Sequence, residues 1–286
     1  MLVDYEGIFL QRRSYRRVLI AGLALLSTPI VLMYLWLLLA SVNRDSLASF
    51  LPTGWTLQHW RFLWLATIKP GYPNIWTVTG NSLLFAVVVM VLEVGMALLA
   101  GYVLSRWQFR GRLLLLQGTL LLHAFPAITL IIAVFFVLRA LHLLNTLAGV
   151  MLVKVALELP FALWVMKGFF DGIPWQVEMA ALVDGANRFT TWYRILLPQI
   201  RPGITALSLF AFLSGWGEYV FLLTFILEKS GWTLSRYVAG ILGEGEVFVD
   251  YGLITAVGLF YMLPALLLFA VAHKYLIRLP FGVDTP

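Results

Sequence analysis

Residues 18–43 contain no charged side chain, and Arg12, Arg13, Arg16 and Arg17 stand just before them. An uncharged run of that length suits a helix crossing the hydrocarbon core, which takes about 20 apolar residues. It exceeds the apolar part of a secretory signal, about 7–15 residues, and lacks a convincing small-x-small cleavage site. It therefore reads as a retained helix. Five more stretches follow, at 81–105, 113–138, 146–170, 203–227 and 251–273. Composition agrees, with 61% hydrophobic residues, 12% charged residues and a mean hydropathy of +0.90. A soluble domain of this size has no interior large enough to hide that surface, so lipid must cover the rest. The expected fold class is an all-α integral membrane protein with six transmembrane helices. Residues 1–17 read as an N-terminal segment and 18–286 as a single transmembrane domain.

The net charge of +6 has a topological explanation. With six spans, one side holds Arg12, Arg13, Arg16, Arg17, Arg106, Arg110, Arg112, Lys167, Arg188, Arg194, Arg201, Lys274 and Arg278. The other holds Arg44, Arg61, Lys69, Arg139, Lys229 and Arg236, and Lys154 lies inside a span. Cytoplasmic loops carry the excess of Lys and Arg, so the first side is cytoplasmic and includes both termini. The basic residues form no face for nucleic acid. Absence of cysteine removes disulfides, thiolate nucleophiles and Cys-based zinc sites. His59, His123, His142 and His273 are scattered, and no metal cluster follows. Two loops of real length face outward, 44–80 and 228–250. Trp55, Trp60, Trp64 and Trp76 in the first are either an interfacial aromatic belt or a docking surface for an external protein.

The cytoplasmic loop 171–202 is unlike the others. Pro174 can open a helix, and 177–183 supports a short amphipathic one. Gly185 allows a backbone reversal. Asn187 is a plausible cap for a second helix over 188–197, which Pro198 is expected to stop. Two short helices with a glycine elbow outside the bilayer form a protruding unit. Its apolar residues suit either the membrane surface or a partner's groove.

These residues carry a resemblance. E-M-A-A-L-V-D-G-A at 178–186, followed by I-L-L-P at 195–198, resembles the EAA loop of bacterial ABC importer permeases. The loop comprises Glu178, Met179, Ala180, Ala181, Asp184, Gly185, Ile195, Leu197 and Pro198. Further stretches are similar to the MalG-like sugar and polyol branch: LPTGWTLQHW at 51–60, NSLL at 81–84, SRWQFRGR at 105–112 and LLNT at 143–146. The resemblance implies the type I permease fold, with the EAA loop forming a coupling helix in a cleft of an ATP-hydrolysing subunit. It also implies a heteromeric complex in the bacterial inner membrane. The partners would be a second homologous permease, two ATP-binding cassette subunits holding ATP and Mg, and an extracytoplasmic solute-binding protein. This chain itself would bind no cofactor. Three departures stand out. Met179 occupies the position of the family's coupling glutamate, and Glu178 replaces it only if the helix rotates by about 100°, one residue of a 3.6-residue turn. Trp216-Gly217-Glu218 stands where the family has Trp-Asn-Glu, and residues 281–286 lack the usual Gly-rich tail.

Ionisable groups inside the bilayer cost roughly 2.5–3.5 kcal/mol on insertion scales and mark candidate sites. Glu93, Lys154, Glu158 and Glu218 qualify. Lys154 and Glu158, at i and i+4, share a helix face and are expected to pair. Glu93, among the small residues Gly95, Ala97, Ala100 and Gly101, either sits in a close helix contact or reaches Lys154. Glu218 has no basic neighbour in sequence and is flanked by Trp216 and Tyr219. A carboxylate beside aromatic rings suits a hydroxyl-rich ligand, and a helix–helix contact is the alternative. Trp216, Glu218, Tyr219, Lys154, Glu158 and Glu93 are the candidate solute path.

No Gly-Lys dipeptide occurs, so no Walker A phosphate cradle is present and any ATP binds elsewhere. The resemblance, with these residues, implies a non-enzymatic transport subunit for a neutral polyhydroxy solute, working by alternating access. A secondary transporter or channel, or a permease for a phosphorylated solute, is the alternative. An intramembrane enzyme would need clustered His, Asp or Ser machinery, which the sequence does not offer.

Overall fold

The computed structural model describes residues 5–44, 54–68, 71–243 and 250–276. Lys69, Arg278, parts of the loops 44–80 and 228–250, the 281–286 segment and the side chains of Arg12, Arg13, His273 and Lys274 lie outside what it describes. Helices dominate the described residues, and the only strand-like pairing there is an isolated antiparallel bridge between Asn43 and Trp55.

Two compact units partition the chain. The first takes in the described residues of Met1–Arg61 and Gly245–Phe260. It contains α1 (Tyr5–Val42) and the start of the last helix. The arginine-rich N-terminal segment is thus part of α1, not a separate tail. Within this unit His59 lies 3.0 Å from the Asn43 carbonyl and 3.5 Å from Asp250, whose carboxylate accepts from the Leu253 N–H.

The second unit carries α2 (Ile75–Arg106), α3 (Arg112–His123), α4 (Ile131–Ala140) and α5 (Leu147–Asp171). The loop 171–202 holds α6 (Trp175–Val183), α7 (Arg188–Thr191) and α8 (Leu197–Gln199). Then come α9 (Arg201–Trp216), α10 (Val220–Phe225), α11 (Leu234–Gly243) and most of α12 (Tyr251–Leu276). Helices α2, α5 and α9 form its centre, packing Val94, Ala97, Ala162, Met166, Leu207 and Ala211 together. Lipid is as apolar as these side chains, so close packing, more than burial from water, holds the helices. Gly101 shows how close: a Cβ there would stand 2.9 Å from the Met166 Cβ and 3.0 Å from the Lys167 nitrogen.

Five described helices are long and apolar enough to cross a membrane: α1, α2, α5, α9 with α10, and α12. The expected third span, 113–138, is not continuous. Pro126 disfavours helical geometry at the residue before it. The chain accordingly leaves α3 at His123, makes a 3-10 turn over Ala127–Leu130 and re-forms as α4. The fifth span is also interrupted, at Gly217 to Tyr219. Pro160, by contrast, sits inside an unbroken α5.

Candidate functional site

The interruption of the fifth span decides where Glu218 points. Standing just ahead of α10, its Oε1 accepts the Phe221 N–H at 3.0 Å and caps that helix. Its Oε2 lies 2.7 Å from Lys154 Nζ. Lys154 is also 2.7 Å from Glu158 Oε1, as i, i+4 spacing anticipates. Glu218 has no basic neighbour in sequence, yet the break swings it across to Lys154 on α5. Ser214 Oγ donates to Glu158. Glu93, 2% exposed, lines one cavity together with Glu158. Lys154's own ion pairs are with Glu158 and Glu218.

Two cavities open on this cluster. One, about 260 Å³, is lined by Glu93, His123, Glu158, Phe161, Phe210, Ala211 and Ser214. The other, about 230 Å³, is lined by His123, Phe125, Ala127, Lys154, Leu157, Glu158 and Phe221. They share His123 and Glu158. His123 stacks on Phe161 with centroids 5.8 Å apart. It is absent from the sequence-based candidates because only the break after α3 brings it here. The signal for it was Pro126, three residues on.

Trp216 has a different place from the one expected. Buried, it stacks between Phe212 and Tyr261, at 5.9 and 5.6 Å, and its Nε1 donates to the Tyr261 carbonyl. The Tyr261 hydroxyl donates back to the Trp216 carbonyl at 3.0 Å. This tryptophan joins α9 to α12 and lines neither cavity. Tyr219 is half-buried at the break.

The elbow at 171–202 is built by local rules. Pro174 precedes α6, and Gly185 ends it with φ +88°. The Gly185 N–H bonds to the Leu182 carbonyl and the Ala186 N–H to the Ala181 carbonyl, the paired bonds of a Schellman cap. Asn187 then caps α7, its Oδ1 accepting the Thr190 N–H at 2.7 Å. Pro198 does not stop the second helix, contrary to expectation. A proline clashes with the carbonyl four residues back, here Arg194. The turn over Trp192–Leu196 widens to a π-helix, with the Leu197 N–H reaching the Trp192 carbonyl, and the chain runs on into α8.

Val183, Phe189 and Tyr193 project from this elbow with 87%, 70% and 61% of their surface exposed. Phe189 and Tyr193 stack with nearly parallel rings. Ala180, Asp184 and Gly185 are exposed as well, and Met179, Ile195, Leu197 and Pro198 are half-buried. Ala181 is buried, and Glu178 has no exposed surface. Tyr102 OH donates to Glu178 Oε1 at 2.8 Å, and Arg106 Nε stands 3.1 Å from Oε2. Glu178 thus faces the protein. It does not take the outward position that Met179 leaves without a carboxylate, because α6 keeps its register against α2.

An all-helical membrane domain with charges around internal cavities and an exposed helical elbow has the architecture of a transport subunit. The family model described as "Binding-protein-dependent transport system inner membrane component" matches residues 93–279, and the chain belongs to that family. It is 30% identical over 269 residues to the diacetylchitobiose uptake system permease protein NgcG of Streptomyces coelicolor, covering 92% of this chain and 86% of that one. It is 30% identical to the trehalose/maltose transport system permease protein MalG of Thermococcus litoralis, covering 69% and 70%. In fold it matches a bacterial ABC transporter involved in the import of the acidic polysaccharide alginate. The TM-score is 0.75 at 19% identity, over 96% of this chain and 99% of that one. The fold is that of a type I ABC importer permease.

Proposed function

We propose that this chain is one permease half of an ATP-driven importer for neutral polyhydroxy solutes: sugars, polyols or glycerol-type molecules. The observation that carries the reading is Lys154, held between Glu158 and Glu218 beside cavities whose walls include four phenylalanine rings. Carboxylates and Ser214 offer hydrogen bonds to hydroxyls, and the faces of Phe125, Phe161, Phe210 and Phe221 suit C–H surfaces. An anionic solute would favour an arginine or lysine with no carboxylate on it. The names of the two curated relatives, both carbohydrate systems, support the same class. The phosphorylated-solute alternative needs Lys154 released from both carboxylates, and it ranks second for that reason. Family membership sets a secondary carrier or channel aside.

In this reading a solute-binding protein delivers to the outward loops, and a second homologous permease completes the pathway. Two ATP-binding cassette subunits hold ATP and Mg, and both termini of this chain lie in the cytoplasm. The ridge of Val183, Phe189 and Tyr193 docks on the ATPase. Hydrolysis there drives alternating access of the cavities. The test is uptake by the reconstituted complex, with panels of neutral oligosaccharide, polyol, glycerol phosphate, uronate oligosaccharide and amino acid. Uptake confined to the charged panels would overturn the proposal. With neutral uptake in hand, Glu218→Gln keeps a carbonyl oxygen for the Phe221 cap and loses the charge. Uptake should then fall several-fold with assembly intact, and an unchanged rate would assign Glu218 to packing.

A further inference from the structure

We propose that Glu178, Arg106 and Tyr102 form a strut that ties the coupling helix α6 to the end of α2, so that motion imposed on α6 enters the membrane along α2. The inference deepens the importer reading above and rests on it.

The strut is made from both sides. Arg106 is the last residue of α2, and Tyr102 lies one turn before it. Arg106 makes three contacts with the start of the cytoplasmic elbow. Its Nε faces Glu178 Oε2, its terminal nitrogen donates to the Ile173 carbonyl at 2.9 Å, and its guanidinium lies over the Trp175 ring at 5.6 Å. One arginine therefore grips the main chain just before α6, the first ring of α6 and a carboxylate in its first turn. Tyr102 takes the other carboxylate oxygen. Glu178 is entirely enclosed and the Arg106 side chain nearly so.

Burial gives this contact a mechanical property that the apolar contacts around it lack. Tyr102, Phe170, Ile173, Leu196 and Ile200 pack beside it. Packed apolar groups resist being pushed together, but they separate or slide at modest cost, especially next to lipid. A buried ion pair also resists being pulled apart, because separation strands a charge without water. The strut can thus transmit a pull as well as a push. The neighbouring bond from Ser105 to Asp171 is exposed to solvent and is the weaker tie.

What lies at the other end of α2 gives the strut its purpose. Helix α2 has no proline and runs unbroken, unlike the α3–α4 and α9–α10 stretches. Glu93, on the cavity wall, precedes Arg106 by thirteen residues, about 20 Å along a helix at 1.5 Å per residue. Docking forces taken up at Val183, Phe189 and Tyr193 reach the cavity through a rigid rod. The carboxylate sequence reading reserved for the ATPase surface serves instead as a positioning residue inside this chain.

The experiment measures solute uptake and ATP hydrolysis in the same proteoliposomes of the complete importer. The readout is solute moved per ATP hydrolysed, so that differences in assembly cancel. Glu178→Gln keeps the size of the side chain and an oxygen for Tyr102 but removes the charge. Transport per ATP should fall about tenfold, within the usual range of coupling between sites. Tyr102→Phe should cause a smaller fall, and Arg106→Lys should retain more transport per ATP than Arg106→Gln. Wild-type transport per ATP in Glu178→Gln would overturn the strut, as would uptake that drops only in step with the amount of assembled complex. Equal losses in Arg106→Lys and Arg106→Gln would also overturn it, since packing alone would then account for the arginine. A wild-type complex without ATP-driven uptake would sink the importer reading instead, so the two failures are distinguishable.

Discussion

Two groups of buried carboxylates behave differently in this chain. At the elbow, one glutamate meets one arginine, and a tyrosine takes the remaining oxygen. At the cavities, Glu93, Glu158 and Glu218 gather about Lys154, and Glu158 borders both open volumes. Both groups are expensive to bury. The elbow group is closed: one acid meets one base, and it borders neither of the two cavities described above. The cavity group is open: acids outnumber the base, and polar atoms face space that a solute can fill. Buried charge alone therefore does not distinguish a strut from a binding wall. Stoichiometry and adjoining volume do.

Replacement of Lys154 by Met is the severest way to break that contrast. It leaves Glu158 and Glu218 facing each other without a cation, and stranding buried partners of this kind costs about 3 kcal/mol or more. Uptake should be abolished and the unfolding midpoint of the purified complex should drop. A midpoint equal to wild type would mean that the cluster is already wet and its ion pairs unimportant. A smaller effect is expected from Gly185→Val. Nothing lies within 4 Å of a Cβ built at Gly185, so the penalty is conformational, about 1–2 kcal/mol for a β-branched residue at positive φ. Solute-stimulated ATP hydrolysis should decline while the order of preference among solutes stays the same. A changed order of preference would dissolve the division of labour between elbow and cavity. Smallest of all is Met179→Glu. This half-buried site sits beside the exposed ridge, so stability should move by no more than about 0.5 kcal/mol. Transport should hold or rise, and a collapse of ATPase assembly would show that Met179 packs inward like Glu178.

The sequence made some of this legible. Long apolar runs located the long spans, because only helices satisfy their own backbone in lipid. Asn187 and Gly185 announced their caps through the turn chemistry that each favours. The i, i+4 spacing announced the Lys154–Glu158 pair. What stayed hidden were events that depend on a neighbour. Gly217 and Glu218 look like helix interior in one dimension, yet the chain breaks there and sends Glu218 to Lys154. Arg106 and Glu178 are 72 positions apart, and only the packing of α6 beneath α2 makes them partners. Trp216 resembled a solute contact because aromatic rings serve packing and sugar recognition equally well. His123 looked stray, yet at the break in the third span it lines both cavities.

That broken span has a consequence for how solute range can change. A helix that ends within the membrane leaves peptide carbonyls which no further turn answers, tolerable only where they border protein or a water-filled space. The segment after His123 runs along one of the cavities, through Phe125 and Ala127. Replacing Phe125 or Ala127 would reshape that cavity while Lys154 and Glu158 on its wall stay where α5 puts them, so the bulk that fits there can change separately from the charged groups it meets.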